Sequence, residues 1–397
     1  MSGANYRLAV IAGEVSGDLL GADLVRALRV QSGQNIELIG VGGEALEAEG
    51  LRSLFDYSEL SIMGFTQVLA RLPMLIMRIS QTAKAIIAAR PDALLIIDSP
   101  DFTHRVARKV RAVLPDLPVI NYVCPSVWAW KPERAPRMRA YVDHVLAVLP
   151  FEPKAMAELE GPPTTYVGHR LASDANVLAV RASRQQRLSG ARDGRVSTCL
   201  LLPGSRASEV SRLLPIFGAM VEELASRHAG IRFVLPTVRR QEKLVRDITS
   251  SWVIQPEITV GAAEKWAAFD RADAAIAASG TVILELALAG VPVVSTYDPD
   301  FLVKLLHKRI RIWSGALPNL IADFPIVPEY FGESIRPGAL TRWVERLSAV
   351  TAQRASMLDG FAQVQQRMAT SRAPGEMAAE IVLRYLKKNA SSQSELT

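Results

Sequence analysis

The chain has 397 residues, 49% hydrophobic and 22% charged, with two cysteines. That length and balance describe a folded protein with a large core and two or three domains, and exclude collagen-like, disordered and small disulfide-scaffold classes. Net charge is +6, from 46 Lys/Arg against 40 Asp/Glu, and the excess is clustered: residues 104–139 hold eight Lys/Arg and two Asp/Glu. Such patches favour anionic partners. No helix-turn-helix, zinc-finger or RNP signature is present, so nucleic acid is not an expected partner. Cys124 and Cys199 sit in apolar runs without paired spacing, and the first apolar run, residues 8–12, is too short for a secretory leader. A reducing cytoplasm is the expected location.

Taken in order, residues 7–12 predict a strand, 18–30 a helix and 36–40 a strand, followed by strands at 93–98, 119–123 and 144–149. Continuous apolar strands joined by helices predict a parallel sheet covered on both faces. Residues 181–195 are polar, carry five Arg and read as a linker. The alternation then restarts with strands at 197–202, 231–235, 258–260, 274–278 and 291–296. Helices follow from residue 338, and the tail at 387–397 reads as polar and frayed. The most membrane-like window, 274–297, is broken by Gly280, Gly290 and Pro292, which predicts strand, helix and strand rather than a span. The expected fold is α/β, with two Rossmann-like doubly wound domains facing a cleft. Residues 1–180 form the first, 181–372 the second, and 373–397 a terminal helix and tail.

Loops at the carboxyl ends of the strands carry the chemistry-bearing residues. After the first strand, Gly13 to Asp18 give either a helix cap from Ser16 or Asp18, or a ligand loop with Glu14, Ser16 and Gly17 as contacts. Gly40-Val41-Gly42-Gly43-Glu44-Ala45 is a weak dinucleotide match, because it follows the second strand rather than the first. Residues 61–80 are richer in apolar side chains than one helix face needs, Met63, Phe65, Leu69 and Leu72 among them. They read either as core packing or as a lipid-contacting surface rimmed by Arg71 and Arg78.

Asp98 and Asp101 follow the third strand, where a carboxylate can form a turn or take a proton from an attacking hydroxyl; Asp98 is the first candidate and Asp101 the second. In the second half, Pro203-Gly204-Ser205-Arg206 offers amides, a hydroxyl and a guanidinium to a diphosphate. Ser279, Gly280 and Thr281 open a helix that can receive phosphate oxygens, and Glu285, a turn on, is placed to accept from two ribose hydroxyls. Asp298-Pro299-Asp300 reads as a cap rather than a metal triplet. The five histidines have no metal-ligand spacing, so neither a metal nor a cofactor is expected.

Together AGEVSGD (12–18), IMGFTQVLARLP (62–73), IDSPDF (97–102), PSVWAW (125–130), LPFEP (149–153), LLPGSR (201–206), ASGTVILELALAGVPVV (278–294) and LPNLIAD (317–323) resemble the lipid-A-disaccharide synthases, inverting glycosyltransferases of the two-domain GT-B fold. The resemblance runs over residues 9–328. It implies transfer of diacylglucosamine from UDP-2,3-diacylglucosamine to the 6-hydroxyl of 2,3-diacylglucosamine 1-phosphate, giving a β-1,6 disaccharide and UDP. It also implies Asp98 as base, Arg206 with Ser279, Gly280 and Thr281 as the diphosphate site, and Glu285 and Asn319 at the ribose or neighbouring donor groups. Peripheral association with the cytoplasmic face of the inner membrane is expected, and a homo-oligomer is left open. Thr103, Cys124 and Arg170 depart from the family's usual residues. The alternatives are another GT-B enzyme, such as a UDP-N-acetylglucosamine epimerase or a transferase with a different lipid acceptor, and a non-catalytic nucleotide-sugar or lipid-surface binding protein.

Overall fold

The computed structural model describes residues 6–60, 65–188, 198–299 and 311–394. The chain divides into two compact units, Met1–Arg170 with Thr370–Thr397, and Leu171–Ala369.

The first unit is built on six parallel strands: β1 Tyr6–Ala12, β2 Ile36–Val41, β3 Ala93–Ile97, β4 Val119–Tyr122, β5 His144–Ala147 and β6 Thr164–Tyr166. Their order is β2-β1-β3-β4-β5-β6, so the direction of winding reverses between β1 and β3. Side chains alternate across the sheet, as the two-residue period of a strand requires. Leu8 and Val10 join one buried layer with Ala22, Val25 and Leu28 of the helix Val15–Ser32 and Ala378, Val382 and Leu386 of the helix Pro374–Ser394. Ala9 and Ile11 join the other, with Ile79 and Ile86 of the helix Phe65–Ala89 and Val106 and Val110 of the helix Pro100–Arg111. Each buried Leu or Ile contributes roughly 1.5–3 kcal/mol, which is why these strands read as unbroken apolar runs.

The second unit repeats the scheme with β7 Thr198–Leu202, β8 Arg232–Thr237, β9 Glu257–Val260, β10 Ala274–Ala278, β11 Val293–Tyr297 and β12 Glu329–Phe331. The order is β12-β11-β10-β7-β8-β9, and winding reverses between β7 and β10. All pairings in both sheets are parallel.

Three expectations change. Residues 181–188 are not linker, because the helix Ala175–Leu188 runs through them. Arg184 is only 3% exposed, and its guanidinium donates to the carbonyls of Gly290 (3.0 Å), Phe269 (3.1 Å), Asp270 (3.2 Å) and Ala272. It thereby closes the C-terminal end of the helix Ala262–Arg271, where carbonyls lack intrahelical partners and the dipole favours a cation. This places the crossing between units at Arg170/Leu171 rather than at 180/181, while residues 189–197 of the expected linker lie outside the described residues. The tail is not frayed through residue 394: the last helix ends at Ser394 and packs in the first unit, with Asn389 Nδ2 donating to the Asp92 carbonyl at 2.9 Å. Two three-residue edge strands, β6 and β12, went unread, being too short and too exposed to leave a period.

The 274–297 window is β10, a helix Thr281–Leu288 and β11, as expected. One helical window among the described residues, Leu72–Ala89, has the length and mean hydropathy (1.2) of a membrane-crossing segment, and 22% of it is buried. Within it Arg78 pairs with Glu59 at 2.7 Å and lies 4.6 Å over the Phe55 ring, which fastens the window to the unit's own fold.

Candidate active site

In an open parallel sheet, ligands bind outside the carboxyl ends of the strands where the winding reverses, because the loops diverge there and leave a crevice. The first unit's reversal lies between β1 and β3, whose last residues Ala12 and Ile97 are register partners. Beyond them come Gly13-Glu14 and Asp98-Ser99. The second unit's reversal lies between β7 and β10, beyond which come Gly204-Ser205-Arg206 and Ser279-Gly280-Thr281. Both candidate loop pairs therefore occupy the position the topology reserves for ligands.

The corner after β3 is strained. Asp98 (φ 53°) and Ser99 (φ 42°) are successive non-glycine residues in the left-handed region, and Val123, just past β4, has φ 72°. A left-handed residue costs about 1–2 kcal/mol, and such outliers persist only where surrounding structure holds them. Here the holder is Thr103, fully buried in the helix Pro100–Arg111: its Oγ1 donates to the carbonyls of Asp98 (2.8 Å) and Ser99 (3.1 Å). The Asp98 carboxylate accepts the Ser99 amide at 2.8 Å. Across the crevice Gly13 approaches so closely that a Cβ there would stand 2.3 Å from Ser99 Oγ, so a side chain at 13 would push the two loops apart.

Glu14 holds the extended N-cap position of the helix Val15–Ser32 without capping it by its side chain. Partial withdrawal from water and, second, the Asp98 carboxylate raise its carboxyl above the usual range. Glu14 and Asp98 are therefore neighbouring carboxylates in one crevice. Asp101 is elsewhere: its side chain is 91% exposed and pairs with Arg134 at 3.5 Å. Ser16 is exposed in the first helical turn, and Gly17 is buried against Ile97, where it lets the helix approach β3.

Asp18 neither caps its own helix nor faces the crevice. It is 3% exposed, and its carboxylate accepts the amides of Gly43 (2.7 Å), Ala45 (2.9 Å) and Leu46 (3.2 Å). It thus fills the amide cluster at the start of the helix Glu44–Ala48, where a pyrophosphate would have to sit, and removes the dinucleotide reading of residues 40–45.

In the second unit Gly204 (φ 104°) turns the chain out of β7. Glu209, at the third position of the helix Ala207–Arg227, folds back so that Oε2 accepts the amides of Ser205 (3.2 Å) and Arg206 (3.3 Å) while Oε1 holds Arg206 Nη1 at 2.9 Å. The amides offered to a phosphate by the sequence are therefore already engaged, and what this loop presents is the Arg206 guanidinium, 61% exposed. Ser279 Oγ donates to the Gly315 carbonyl at 3.2 Å. Gly280 and Thr281 are exposed at the start of the helix Thr281–Leu288, with open space where a Gly280 side chain would be. Glu285 is partly buried, and its Oε2 pairs with Lys265 Nζ at 2.9 Å, a cation that lies 4.3 Å over the Trp266 ring.

Asn319 is not presented to a ligand. It is 1% exposed; its Oδ1 accepts the amides of Ile326 (2.8 Å) and Val327 (2.7 Å), and its Nδ2 donates to the Val327 carbonyl (3.0 Å) and to Glu329 (3.3 Å). Glu329 in turn holds Ser314 and the Gly315 amide, and Gly315 accepts from Ser279. Asn319 thus stands two steps behind the loop Ser279-Gly280-Thr281. Asp298 pairs with Arg212 at 3.7 Å, and Asp300 lies outside the described residues. Among the described residues no three His, Cys, Asp or Glu are grouped to hold a metal.

Reading the residues in sequence missed Thr103's hydroxyl, Lys265 and Glu209; the last is legible as an acid at the third helical position, the reciprocal half of a capping box. It also missed why two of the motifs recur together. Glu152 of LPFEP is buried and accepts the amides of Val148 (3.1 Å) and Leu149 (2.9 Å), and Nε1 of Trp128 from PSVWAW (3.3 Å). Burial pushes its carboxyl up to about 7, against the pull of those donors. Of the apolar stretch, Leu72 is exposed with Ile76 and Met77, each 55% exposed; Met63 lies outside the described residues, and only helical backbone is described at Phe65 and Leu69.

Two tandem doubly wound sheets with loop sites at both reversals define the GT-B class of α/β proteins. Solved structures of that class match nearly the whole chain: a glycotransferase of kitacinnamycin (TM-score 0.60, 15% identity, 96% of this chain and 99% of that one), MnaA of S. aureus with UDP (0.60, 12%, 97% and 97%) and MurG of Acinetobacter baumannii (0.53, 13%, 97% and 99%). At these identities they establish the fold. The family follows from sequence: the Lipid-A-disaccharide synthetase family profile matches residues 8–380. Lipid-A-disaccharide synthases of Rhodopseudomonas palustris strain HaA2 (45% identical, 98% of each chain) and Nitrobacter winogradskyi (46%, 96% of each) align almost end to end. The chain belongs to the lipid-A-disaccharide synthetase family, and it is a glycosyltransferase of lipid A disaccharide synthesis. The epimerase and non-catalytic readings are not favoured.

Proposed function

We propose that Asp98 is the base of the transfer and that Arg206, with the loop Ser279-Gly280-Thr281, receives the leaving diphosphate. The substrates are a nucleotide sugar and a lipid sugar; in this reading they are UDP-2,3-diacylglucosamine and 2,3-diacylglucosamine 1-phosphate, and the product is a β-1,6 disaccharide. Each unit supplies one half of the chemistry. Asp98 accepts the proton of the acceptor 6-hydroxyl as its oxygen attacks the anomeric carbon, and the bond to UDP breaks from the opposite face with inversion. Negative charge then grows on the departing diphosphate. Arg206 and the amides opening the helix Thr281–Leu288 would offset it. Glu285, oriented by Lys265, would accept ribose hydroxyls through its remaining oxygen. Asn319 would act through Glu329 and Gly315 rather than by touching the donor.

The observation that carries this reading is the corner at Asp98–Ser99: a carboxylate held in left-handed backbone at the sheet's reversal point, with Glu14 beside it and Asp101 turned away. Glu14, Ser16 and Gly17 are proposed as the acceptor-side loop, and Asp101 has the weaker claim to the base. The exposed face at Leu72, Ile76 and Met77 would meet the acyl chains at the cytoplasmic face of the membrane, and Met63, Phe65 and Leu69 are proposed as lipid contacts from the sequence alone.

Turnover of the two diacylated substrates, followed as UDP release with product analysis, tests the reading. Asp98→Asn is expected to abolish it while UDP affinity stays within about twofold. Wild-type turnover in Asp98→Asn would remove Asp98 as the base.

A further inference from the structure

The basic run at residues 104–139 is not used by the transfer site. Part of it folds into a cavity of about 390 Å³ in the first unit, lined by Arg108, Arg111, Ala112, Arg137, Ala140 and Tyr141, with no acid in the lining. The cavity lies at the amino edge of the sheet. Arg111 donates to the Pro115 carbonyl at 3.1 Å and to the Asp143 carboxylate, and Asp143 also accepts the amide of Val119, the first residue of β4, at 2.7 Å. Asp98 is at the other end of a five-residue strand, roughly 15 Å away at about 3.3 Å per residue.

The cations are arranged rather than merely abundant. Arg108 lies 4.6 Å over the Tyr141 ring and donates to its hydroxyl at 3.1 Å. The same hydroxyl is 3.1 Å from Nδ1 of the buried His104. A hydroxyl that accepts from Arg108 has its own proton to give, so Tyr141 donates to His104, and the chain of bonds fixes the guanidinium plane. Burial, then Arg134 and Arg108, pushes the imidazole down to about 3, so it stays neutral and keeps its acceptor at physiological pH. Arg111 Nε is buried without a hydrogen-bond partner, and Arg137 is exposed with no ion pair among the described residues. Three guanidinium groups with one neighbouring carboxylate, Asp143, leave an excess of two positive charges around one cavity.

We propose that this cavity binds a phosphate-type dianion, a phosphomonoester or diphosphate group, at a site separate from the transfer site. Guanidinium forks match an anion that carries several acceptor oxygens, and a cavity of about 390 Å³ has room for such a group on a larger molecule. The same chemistry could come from a soluble phosphate compound or from a lipid headgroup.

The full-length protein is titrated calorimetrically with inorganic pyrophosphate, wild type beside the double variant Arg108→Gln/Arg137→Gln and beside Arg206→Ala. A second arm measures co-sedimentation with vesicles containing phosphatidic acid, a lipid phosphomonoester, against phosphatidylcholine vesicles. Both substituted arginines are exposed, so the double variant is expected to melt with the wild type and to retain turnover. The expected result is about a tenfold or greater loss of pyrophosphate affinity in the double variant for a binding component that Arg206→Ala retains. Weakened sedimentation with phosphatidic acid vesicles assigns the site to a lipid phosphate; unchanged sedimentation with lost pyrophosphate binding assigns it to a soluble one. A double variant that matches the wild type in both arms overturns the proposal.

Discussion

Replacing Thr103 with valine keeps the side chain's shape and removes the hydroxyl that holds the corner carrying Asp98. The structure sets the scale. Two successive left-handed residues, at φ 53° and 42°, store roughly 2–4 kcal/mol of backbone strain. The hydroxyl lies 2.8 Å from the Asp98 carbonyl and 3.1 Å from that of Ser99. Its net worth is about 1 kcal/mol, and a buried carbonyl left without its donor costs about 1–3 kcal/mol. The variant should therefore lose about 1–2 kcal/mol of stability, readable in a urea melt, and the strained corner should relax. A base displaced by about 1 Å can lose on the order of 100-fold in rate, so kcat for UDP release is expected to fall about 10–100-fold. UDP affinity, which the proposed reading places with Arg206, should not move. Thr103→Ser keeps the hydroxyl and should stay within about threefold of wild type. Wild-type kcat in Thr103→Val despite lost stability would show that Thr103 only packs the helix, and a serine variant as slow as valine would shift the cause from the hydroxyl to the methyl. Either result refutes the reasoning.

Arg206→Ala should weaken UDP binding by roughly 10–100-fold, since hydrogen bonds to charged groups are worth about 1.5–3 kcal/mol, and should lower kcat as well; calorimetry with UDP and steady-state turnover read the two effects. Arg184→Met strands buried carbonyls at Gly290 and at the end of the helix Ala262–Arg271, and a loss of about 2–4 kcal/mol in a urea melt is expected. Glu152 has a carboxyl raised to about 7 in the fold, so the folded state binds its proton more tightly than the unfolded chain does. Its contribution is full below about 4.5 and is lost as pH rises through about 7, by on the order of 3 kcal/mol. Because buried His104 and His169, both pushed down, act oppositely as pH falls below about 6.5, the informative quantity is the difference in melting temperature between Glu152→Gln and wild type, which should move in the variant's favour from pH 5 to pH 8. Arg78→Ala, which unfastens the apolar helix from Glu59 and Phe55, should cost about 1 kcal/mol, readable as a lower melting temperature.

The interior of both sheets was legible because a strand buried on both faces must be apolar at every position; the inner strands were placed within about two residues on that ground alone. The edge strands β6 and β12 were not, since three half-exposed residues carry no such demand. Asp98 and the Arg206 and Gly280 loops were legible because they follow apolar strands directly, and topology then puts strand ends at ligand sites. What stayed hidden depends on contacts between distant segments. Nothing local marks Arg184 as buried, since its partners are backbone carbonyls some 85–106 residues away. Asp18 looks like a cap for the helix it begins, yet its partners lie 25–28 residues on. Asn319 looks like a ligand contact because an amide in a motif can serve either purpose, and only its saturated hydrogen bonds separate the two.

The two reversal points share one topology and differ in charge, and that difference is the ground for the roles proposed for them. At the first, Glu14 and Asp98 place two acids in one crevice, where burial and then the Asp98 carboxylate hold the Glu14 carboxyl above its usual range; a site of this kind repels a diphosphate. At the second, the loop acid Glu209 is turned inward onto amides and onto one side of Arg206, so the group left facing outward is a guanidinium, with a helix N-terminus on the neighbouring strand. A site of that kind attracts a diphosphate, and its two carboxylates are already engaged, Glu209 by amides and Arg206, and Glu285 by Lys265. Exchanging the assignments would put a dianionic leaving group against two carboxylates and ask a guanidinium to accept a proton, which its pKa forbids. The proposed division of labour between base and leaving-group site therefore rests on the charges of the residues at the two edges, whichever sugar is carried.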